Sequence, residues 1–253
     1  MKASLKSPEN IAIMRETGEK LSQILDTLVR FTKVGTTLTA IDDYAQELIL
    51  QSGGKPGFAM VPGYRWATCL NVNEGVVHGI PTDRKLKAED VISIDIGMFR
   101  QGFHTDMSTT FPVVKQKASK EVLDFLAQGE LALKRAIAQV KPGSRVGHIS
   151  QAIQQTVEAG GYSCIYTLTG HGIGKQLHEY PSIPGVLSTS LDQTPMLKPG
   201  MALAVEVIYA QGSPETVVDP RDGWTISTQD GKISAVFEKT VAVTSDGFTY
   251  ITP

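Results

Sequence analysis

Cysteine is scarce in this sequence, which has only Cys69 and Cys164 among its 253 residues. Two cysteines are too few for a disulfide framework or a cysteine-rich zinc site, and reduced thiols are typical of the cytosol. No apolar run approaches the roughly 20 residues that cross a bilayer, and the segment 1–10 lacks the apolar core of a secretory signal peptide. We therefore expect a cytoplasmic protein that is not a disulfide scaffold, a zinc finger or a membrane protein.

An excess of charge of either sign is also lacking, because 24 Lys and Arg stand against 26 Asp and Glu. Without a basic field, we expect no direct binding to nucleic acid or to an anionic membrane surface. Hydrophobic residues make up 41% and charged residues 20%, which is typical of a folded globular domain and argues against disorder. A chain of this length can bury one sizeable core or two small ones.

Two pairs of amphipathic helices are predicted. The second pair has the same layout as the first pair, at an offset of 108 residues along the chain. Ser7 can cap the first helix, with Pro8 at its first position. Any two amphipathic helix pairs look somewhat alike, but here the loop glycines, helix lengths and helix ends match together, which favours duplication. The matched positions are Gly35 and Gly143, Leu38 and Val146, Ile41 and Ile149, and Gly53 and Gly161.

Adjacent strands follow each helix pair, at 91–96 and 103–111 and again at 201–209 and 233–243. Helices in runs and strands in neighbouring pairs predict an α+β fold with an antiparallel sheet. Because a solenoid needs at least three repeats, two copies predict two halves related by a pseudo-two-fold axis. We expect one domain spanning 1–253, with an internal repeat at approximately 8–112 and 118–253.

Two aspartates occur in the first strand pair at positions where burial of a charge is costly. Asp95 interrupts an apolar strand, and Asp106 lies eleven residues later. If the hairpin pivots between Arg100 and Gln101, the two carboxylates are directly opposite each other, about 5 Å apart at Cβ. Such like charges are destabilising unless something positive lies between them; the alternative is one exposed aspartate and one in a turn.

Glu206 and Glu238 interrupt the apolar strands of the second half in the same way. Either one alone could form a buried ion pair with Arg or Lys. Four such carboxylates favour a common explanation, and two divalent cations would balance their four negative charges. The sequence therefore predicts a metal site built from Asp95, Asp106, Glu206 and Glu238.

The chain has five histidines, and three of them lie beside glycines or prolines in candidate site loops: His78, His171 and His178. His171 lies in the stretch 169–174, where small residues allow close backbone approach. His148, at the start of a helix, is expected to be a surface or capping residue. His104 lies on the same strand face as Asp106 and is expected to support the site without binding metal. No HExxH motif is present, so a thermolysin-like zinc site is not expected.

A set of motifs spread over the whole chain occurs in a characteristic order. It comprises Asn71-Val72-Asn73-Glu74, His78-Gly79-Ile80-Pro81, Asp95, Asp106, Gly170-His171-Gly172-Ile173-Gly174, His178-Glu179, Glu206 and Glu238. In this order and spacing the chain resembles the type I methionine aminopeptidases, which belong to the wider pita-bread metallopeptidase family. The resemblance implies the pita-bread fold, in which two pseudo-two-fold-related halves share one curved antiparallel sheet.

The resemblance also implies a role for each matching residue. It makes Asp95, Asp106, His171, Glu206 and Glu238 the ligands of two divalent metal ions, with Asp106 and Glu238 bridging both. His78 and His178 would contact the substrate without binding metal. The residues expected to line the pocket for the methionine side chain are Tyr64, Cys69 and Trp224, with Phe58 and Leu177 as further wall residues. For Cys69 and Trp224 the alternative is ordinary core packing.

The implied activity is removal of the N-terminal methionine from nascent polypeptides when the second residue is small. A hydroxide shared by the two ions would attack the scissile carbonyl, with His178 donating a hydrogen bond to the oxyanion and Glu206 transferring the proton. Carboxylate and imidazole ligands suit Mn, Fe, Co or Zn. The resemblance further implies that the protein is a monomer and suggests that it associates with the ribosome.

Three residues depart from the family pattern. Tyr180 stands where a second acidic residue usually follows His178-Glu179, Val207 replaces the proline after Glu206, and Lys239 replaces the histidine after Glu238. We expect these changes to affect specificity and rate and to leave the metal site intact.

Two other functions remain open from the sequence. One is a proline-specific aminopeptidase or dipeptidase with the same metal site, which the segment 95–111 also resembles. Such enzymes usually carry an additional N-terminal domain, and the Asn71–Pro81 stretch and Trp224 favour methionine removal. The other is a catalytically inactive binding module. The presence of all five ligand residues and both substrate histidines argues against it.

Overall fold

A computed structural model describes residues 2–253, and its helices form the two predicted pairs. The Ser7 hydroxyl accepts a hydrogen bond from the Asn10 N–H, and Pro8 occupies the first helical position. This start agrees with the prediction from sequence, and it is favourable because proline lacks the N–H that a first-turn residue would leave unpaired. The helices are α1 (Pro8–Phe31), α2 (Leu38–Gln51), α3 (Lys120–Ile137) and α4 (Val146–Ala159).

The glycines matched between the two halves have the same backbone conformation. Gly35 and Gly143 have φ of +86° and +80°, and Gly53 and Gly161 have φ of +78° and +79°. This left-handed region is strained for residues with a Cβ. The helices that these glycines flank, α2 and α4, are both 14 residues long. We infer that the halves 8–112 and 118–253 arose by duplication within a single domain.

The strands are antiparallel and form two sheets. The large sheet has ten strands in the order β1-β4-β5-β12-β9-β7-β8, with β2, β6 and β13 pairing with β4, β9 and β12, and the small sheet has the order β10-β11-β3. Their bounds are β1 (Lys55–Pro56), β2 (Thr68–Val72), β3 (Gly75–Val77), β4 (Val91–Arg100), β5 (Phe103–Pro112), β6 (Ser163–Cys164), β7 (Thr169–Gly172), β8 (Glu179–Pro184), β9 (Ala202–Ala210), β10 (Thr216–Val218), β11 (Ile226–Thr228), β12 (Ser234–Val243) and β13 (Phe248–Tyr250).

The register predicted for the first hairpin is wrong, because the partner of each aspartate lies two residues from the predicted one. Asp95 pairs with Ser108, and Asp106 pairs with Gly97. The turn consists of Gln101 and Gly102, whose φ values are +51° and +87°, because a two-residue hairpin turn of type I′ needs positive φ at both positions. The two aspartates are therefore diagonal neighbours on one face instead of direct partners.

The two halves meet at a short seam between β5 and β12. Only Ser108–Glu238 and Met107–Lys239 pair directly. Beyond these pairs, threonine hydroxyls replace the backbone ladder: Thr110 bonds both the N–H and the C=O of Val236, and Thr240 bonds both the N–H and the C=O of Asp106. The seam is thus pseudosymmetric, with each threonine bridging to the opposite strand.

Strand alternation divides the large sheet into a helix-covered face and a functional face. Ile94, Ile96 and Met98 of β4 pack with Leu21 and other residues of α1 and α2. On the other half, Phe125 and its neighbours on α3 and α4 cover the corresponding face of β9 and β12. Asp95, between Ile94 and Ile96, consequently points to the opposite face. Across residues 2–253, no helix combines the length and apolar composition needed to span a bilayer.

Candidate metal centre

Four strands at the middle of the large sheet bring three of the predicted carboxylates into one row. Asp95 on β4 pairs with Ser108 on β5, Ser108 pairs with Glu238 on β12, and Glu238 pairs with Glu206 on β9. Cross-strand partners present their side chains to the same face of a sheet. The row runs symmetrically across the seam, with Asp95 and Glu206 at its ends and Ser108 facing Glu238 at its centre.

Asp106 and His171 lie in the neighbouring row on the same face. Asp106 is two residues from Ser108 on β5, and His171 pairs with Ala204, two residues from Glu206. One ligand atom from each of Asp106, His171 and Glu238 lies within 4.8 Å of the others. The His171 Nε2 atom is 3.6 Å from Glu206 Oε1. All five predicted ligand residues therefore converge on one site.

The electrostatics of the site are those of buried acids without a cation from the chain. Burial raises the pKa of Asp95 to about 7. Burial, and then the charges of neighbouring carboxylates, raise the pKa values of Asp106, Glu206 and Glu238 well above their usual range. Within residues 2–253, no Lys or Arg forms an ion pair with any of these four groups. Lys and Arg therefore do not neutralise the cluster.

Unpaired atoms in the site fit a bound divalent metal. Asp95 Oδ1, Asp106 Oδ1 and Glu238 Oε1 are buried and have no hydrogen-bond partner, although buried polar atoms are normally paired. The Nδ1 atom of His171 lies 2.9 Å from the Gly172 carbonyl oxygen. A hydrogen bond there holds the ring with Nε2 toward the carboxylates, as is usual for metal-binding histidines. The residues therefore offer the oxygen and nitrogen ligands that a divalent transition metal prefers.

A cavity of about 350 Å³ opens beside the carboxylates. The Tyr64 ring meets the Trp224 ring edge-on, with centroids 5.2 Å apart. Phe58 packs so closely on Gly97 that a Cβ there would lie 2.7 Å from the Phe58 ring, so this wall requires glycine on β4. Every predicted wall and substrate residue lines the cavity: Phe58, Tyr64, Cys69, His78, Leu177, His178 and Trp224.

The two histidines predicted to contact substrate lie at the edge of this cavity. Burial lowers the pKa values of both His78 and His178, and the neighbouring His178 lowers that of His78 further. Both rings are therefore neutral at pH 7, with one N–H available to donate. The His178 ring centroid is 4.4 Å from that of His171. His78 has a φ of +57°, and such backbone strain is concentrated at functional sites.

The remaining two histidines lie outside the cavity lining. His148 caps α4, because its Nδ1 accepts a hydrogen bond from the Arg145 N–H at 3.0 Å. This agrees with the capping role expected from sequence. His104 is buried against Phe99 and its backbone N–H donates to the Gly174 carbonyl. Its supporting role stays a prediction.

The three departures from the family pattern lie away from the cavity lining. Val207 and Lys239 directly follow ligand residues on strands, so they point to the helix-covered face. Lys239 there donates to the Pro253 carbonyl at 2.6 Å. Tyr180 lies on β8, two strands from Glu206. This placement agrees with an intact metal site.

Part of the cavity wall was not predicted from sequence. Ile208 lies two residues after Glu206 on β9 and so shares its face, a relation that strand alternation could have revealed. Thr167 and Leu168 come from the loop before β7, and nothing in their local sequence marks them. The additional lining residues are Val61, Val77, Thr167, Leu168, Thr169 and Ile208.

Residues 12–245 match the model of metallopeptidase family M24, and the chain belongs to this family. It is 39% identical over 247 residues to methionine aminopeptidase 1 of Bacillus subtilis (strain 168), covering 98% of each chain. The structure superposes on methionine aminopeptidase from Thermotoga maritima with a TM-score of 0.94, 34% identity and 99% coverage of each chain. The fold is thus the pita-bread fold, as the family resemblance implied.

Prolidase shares this fold at a greater distance. The Pyrococcus horikoshii enzyme has a TM-score of 0.79 and 18% identity, and the match covers 98% of this chain but 63% of the prolidase. At this identity the likeness concerns the fold alone. The full-length similarity to methionine aminopeptidases makes these enzymes, and not prolidase, the model for function.

Proposed function

We propose that the protein removes the N-terminal methionine from polypeptides whose second residue is small, using two divalent metal ions. The observation that carries this proposal is the convergence of two buried carboxylates, two partly buried carboxylates and His171 on one cavity. Full-length similarity to methionine aminopeptidases supports the same reaction. Four acidic ligands would balance the charge of two divalent ions, which is why we propose two.

Each residue of the site has a proposed task in hydrolysis. Asp95, Asp106, His171, Glu206 and Glu238 would hold the ions, which supply activation of a water and polarisation of the scissile carbonyl. Glu206 takes a proton from the attacking water at its carboxylate and passes it to the leaving amine.

The two substrate histidines act through hydrogen bonds. His178, neutral because of its burial, donates its ring N–H to the oxyanion that develops on the substrate. His78 contacts the substrate from its place in the cavity wall, with its ring centroid 6.3 Å from that of Trp224. Neither ring is proposed as a metal ligand.

The cavity also supports a substrate preference. Tyr64, Cys69 and Trp224 form an apolar wall that suits an unbranched thioether side chain, with Phe58 and Leu177 completing it. Each methylene is worth only about 1–3 kcal/mol in such a pocket, so norleucine should substitute for methionine. We propose that His78 leaves little room beside the scissile bond, so the next residue must be small, such as Ala, Gly or Ser.

Location and assembly are part of this proposal. We propose that the protein acts as a monomer, as the family resemblance implies. Because the substrate is a new N-terminus, we propose that the protein works in the cytoplasm on nascent chains, near or on the ribosome. Sedimentation with and without ribosomes would test both points.

Metal analysis and a peptide assay test the function together. Protein purified without added metal should contain Mn, Fe, Co or Zn, and the holoenzyme should cleave Met-Ala-Ser much faster than Ala-Pro-Ala. Faster cleavage of Ala-Pro-Ala would identify a proline-specific enzyme. Metal binding without cleavage of either peptide would identify an inactive binding module.

A further inference from the structure

The segment that precedes α1 is anchored in the molecule by a buried cation. Lys6 is 6% exposed, and its Nζ atom lies 2.6 Å from Glu179 Oε2 and 3.0 Å from the Ser4 carbonyl oxygen. Its backbone N–H donates to the Gly200 carbonyl. Lysine is rarely buried unless it is paired. Removing one partner of a buried ion pair strongly destabilises the fold, because the other charge is left buried without a partner. The Lys6–Glu179 pair therefore strongly constrains Glu179.

Glu179 connects this cation to the turn 174–179. Its second carboxylate oxygen, Oε1, accepts a hydrogen bond from the Gln176 N–H at 3.2 Å. The Gly174 N–H in turn donates to the Gln176 carbonyl. The aliphatic stem of Lys6 also packs directly on Gly174, where an added Cβ would lie 2.4 Å from Lys6 Cε. Both ends of the turn are thus held by Lys6, one through charge and one through packing.

His178 is the residue that needs this support. It directly precedes Glu179, and its ring lines the cavity 4.4 Å from the His171 ring. Among the described residues 2–253, no side-chain hydrogen bond fixes the His178 ring. Its orientation therefore depends on the backbone of the turn 174–179.

We propose that Lys6 is a positioning residue for the reaction, because its ion pair with Glu179 holds the turn 174–179 and thereby aims His178 at the substrate. The proposal rests on the proposed function, in which His178 donates a hydrogen bond to the oxyanion. Lys6 does not line the cavity, so we expect its effect on the reaction to pass through the turn 174–179 to His178.

Lys6→Met tests the proposal, since it removes the charge and keeps the length of the side chain. We expect kcat on Met-Ala-Ser to fall about 10–100-fold, the usual cost of removing a group that orients an active-site residue. KM and metal content should change less than twofold. In a His178→Ala background, Lys6→Met should lower kcat less than twofold, because the ring that it positions is already absent.

Lys120→Met is the matched control. Lys120 also pairs with a carboxylate, Asp124, at 2.5 Å, but both side chains are exposed, so activity should stay at the wild-type level. If Lys6→Met does not fold in a thermal melt, Glu179→Gln is compared in the same two backgrounds. An equal loss of kcat with and without His178, or a parallel loss of metal, would overturn the positioning role. Absence of Met-Ala-Ser cleavage by the wild type would instead overturn the proposed function.

Discussion

Three carboxylates of the site, Asp95, Glu206 and Glu238, lie within mainly apolar strands. Asp95 has Ile94 and Ile96 as neighbours, and Glu238 follows Phe237, all of them buried. Burying a charge is costly unless it is paired, yet no Lys or Arg within residues 2–253 forms an ion pair with these carboxylates. A bound metal cation would offset the free-energy cost of burying these carboxylates, which is the physical reason to infer a metal site.

At the residue scale, His178→Ala should separate chemistry from metal binding. The substitution removes one hydrogen-bond donor and no proposed ligand, so kcat should fall about 10²–10³-fold, as for loss of one oxyanion donor. Metal content, measured by elemental analysis, should remain at the wild-type value. Loss of metal together with activity would show that His178 is a ligand.

Trp224→Ala should weaken binding of the methionine side chain. Trp224 lines the cavity and packs edge-on against Tyr64, so we expect KM for Met-Ala-Ser to rise about 10-fold, equivalent to about 1.4 kcal/mol. Trp66→Ala is the matched control, because Trp66 also packs on Tyr64 at 5.2 Å but does not line the cavity. Equal effects of the two substitutions on KM would mean that Trp224 only packs the core.

At the element scale, α2 supports the cavity wall through a buried aspartate. Asp42 Oδ1 accepts hydrogen bonds from the Ala67 N–H, the Thr68 N–H and the Thr68 hydroxyl. These bonds hold the start of β2, where Cys69 faces Asp95. Helix α2 thus fixes a strand that it precedes by about twenty residues in the chain.

Asp42→Ala should lower the free energy of unfolding by about 3 kcal/mol, since each buried donor left unpaired costs about 1–3 kcal/mol. Asp42→Asn keeps an acceptor oxygen and should cost much less. Burial raises the pKa of Asp42, so its stabilising contribution is complete in acid and is lost as pH rises through the folded-state pKa. The free energy of unfolding of Asp42→Asn should therefore rise relative to that of the wild type between pH 4 and pH 8.

Urea unfolding of the three proteins at both pH values measures these effects. Equal stabilities of Asp42→Ala and Asp42→Asn would contradict the role of the acceptor oxygen. If the wild type became more stable relative to Asp42→Asn as the pH rises, the direction of the pKa shift would be contradicted.

At the scale of the whole molecule, metal should stabilise the fold across the seam that joins the halves. Asp95 and Asp106 come from the first half, and Glu206 and Glu238 from the second. A ligand that binds only the folded state at 100 times its Kd adds about 2.7 kcal/mol. For a chain of this size we expect Mn²⁺ to raise the Tm of chelator-treated protein by about 5–10 °C.

The metal-free protein should also show the cost of its acidic cluster. Burial raises the pKa of Asp106, so its contribution to stability is present in acid and lost as pH rises. Without metal, Asp106→Asn should therefore become more stable relative to wild type between pH 5 and pH 8, while its Mn²⁺-dependent rise in Tm should shrink. If the Tm of the wild type did not change on addition of Mn²⁺, a metal site at the seam would be contradicted.

Local sequence was enough to predict the two helix pairs, the two main strand pairs and the acidic residues of the site. Helix ends follow from local rules of capping and glycine conformation, as at Ser7 and Gly35. Charged residues inside apolar strands revealed Asp95, Glu206 and Glu238, because the cost of burying a charge can be read from neighbouring residues alone. Asp106 followed from its place in the strand paired with that of Asp95, and the family resemblance added His171 as a ligand.

Four features could be seen only in the folded chain: the hairpin register, the seam of β5 with β12, the order β10-β11-β3 and the anchoring of Lys6 on Glu179. Strand pairing joins residues far apart in the chain, and a shift of register changes every partner. Local sequence could not place Thr167 or Leu168 in the cavity for the same reason. Which residues carry charge is a local property, whereas which residues meet depends on the packing of the whole chain.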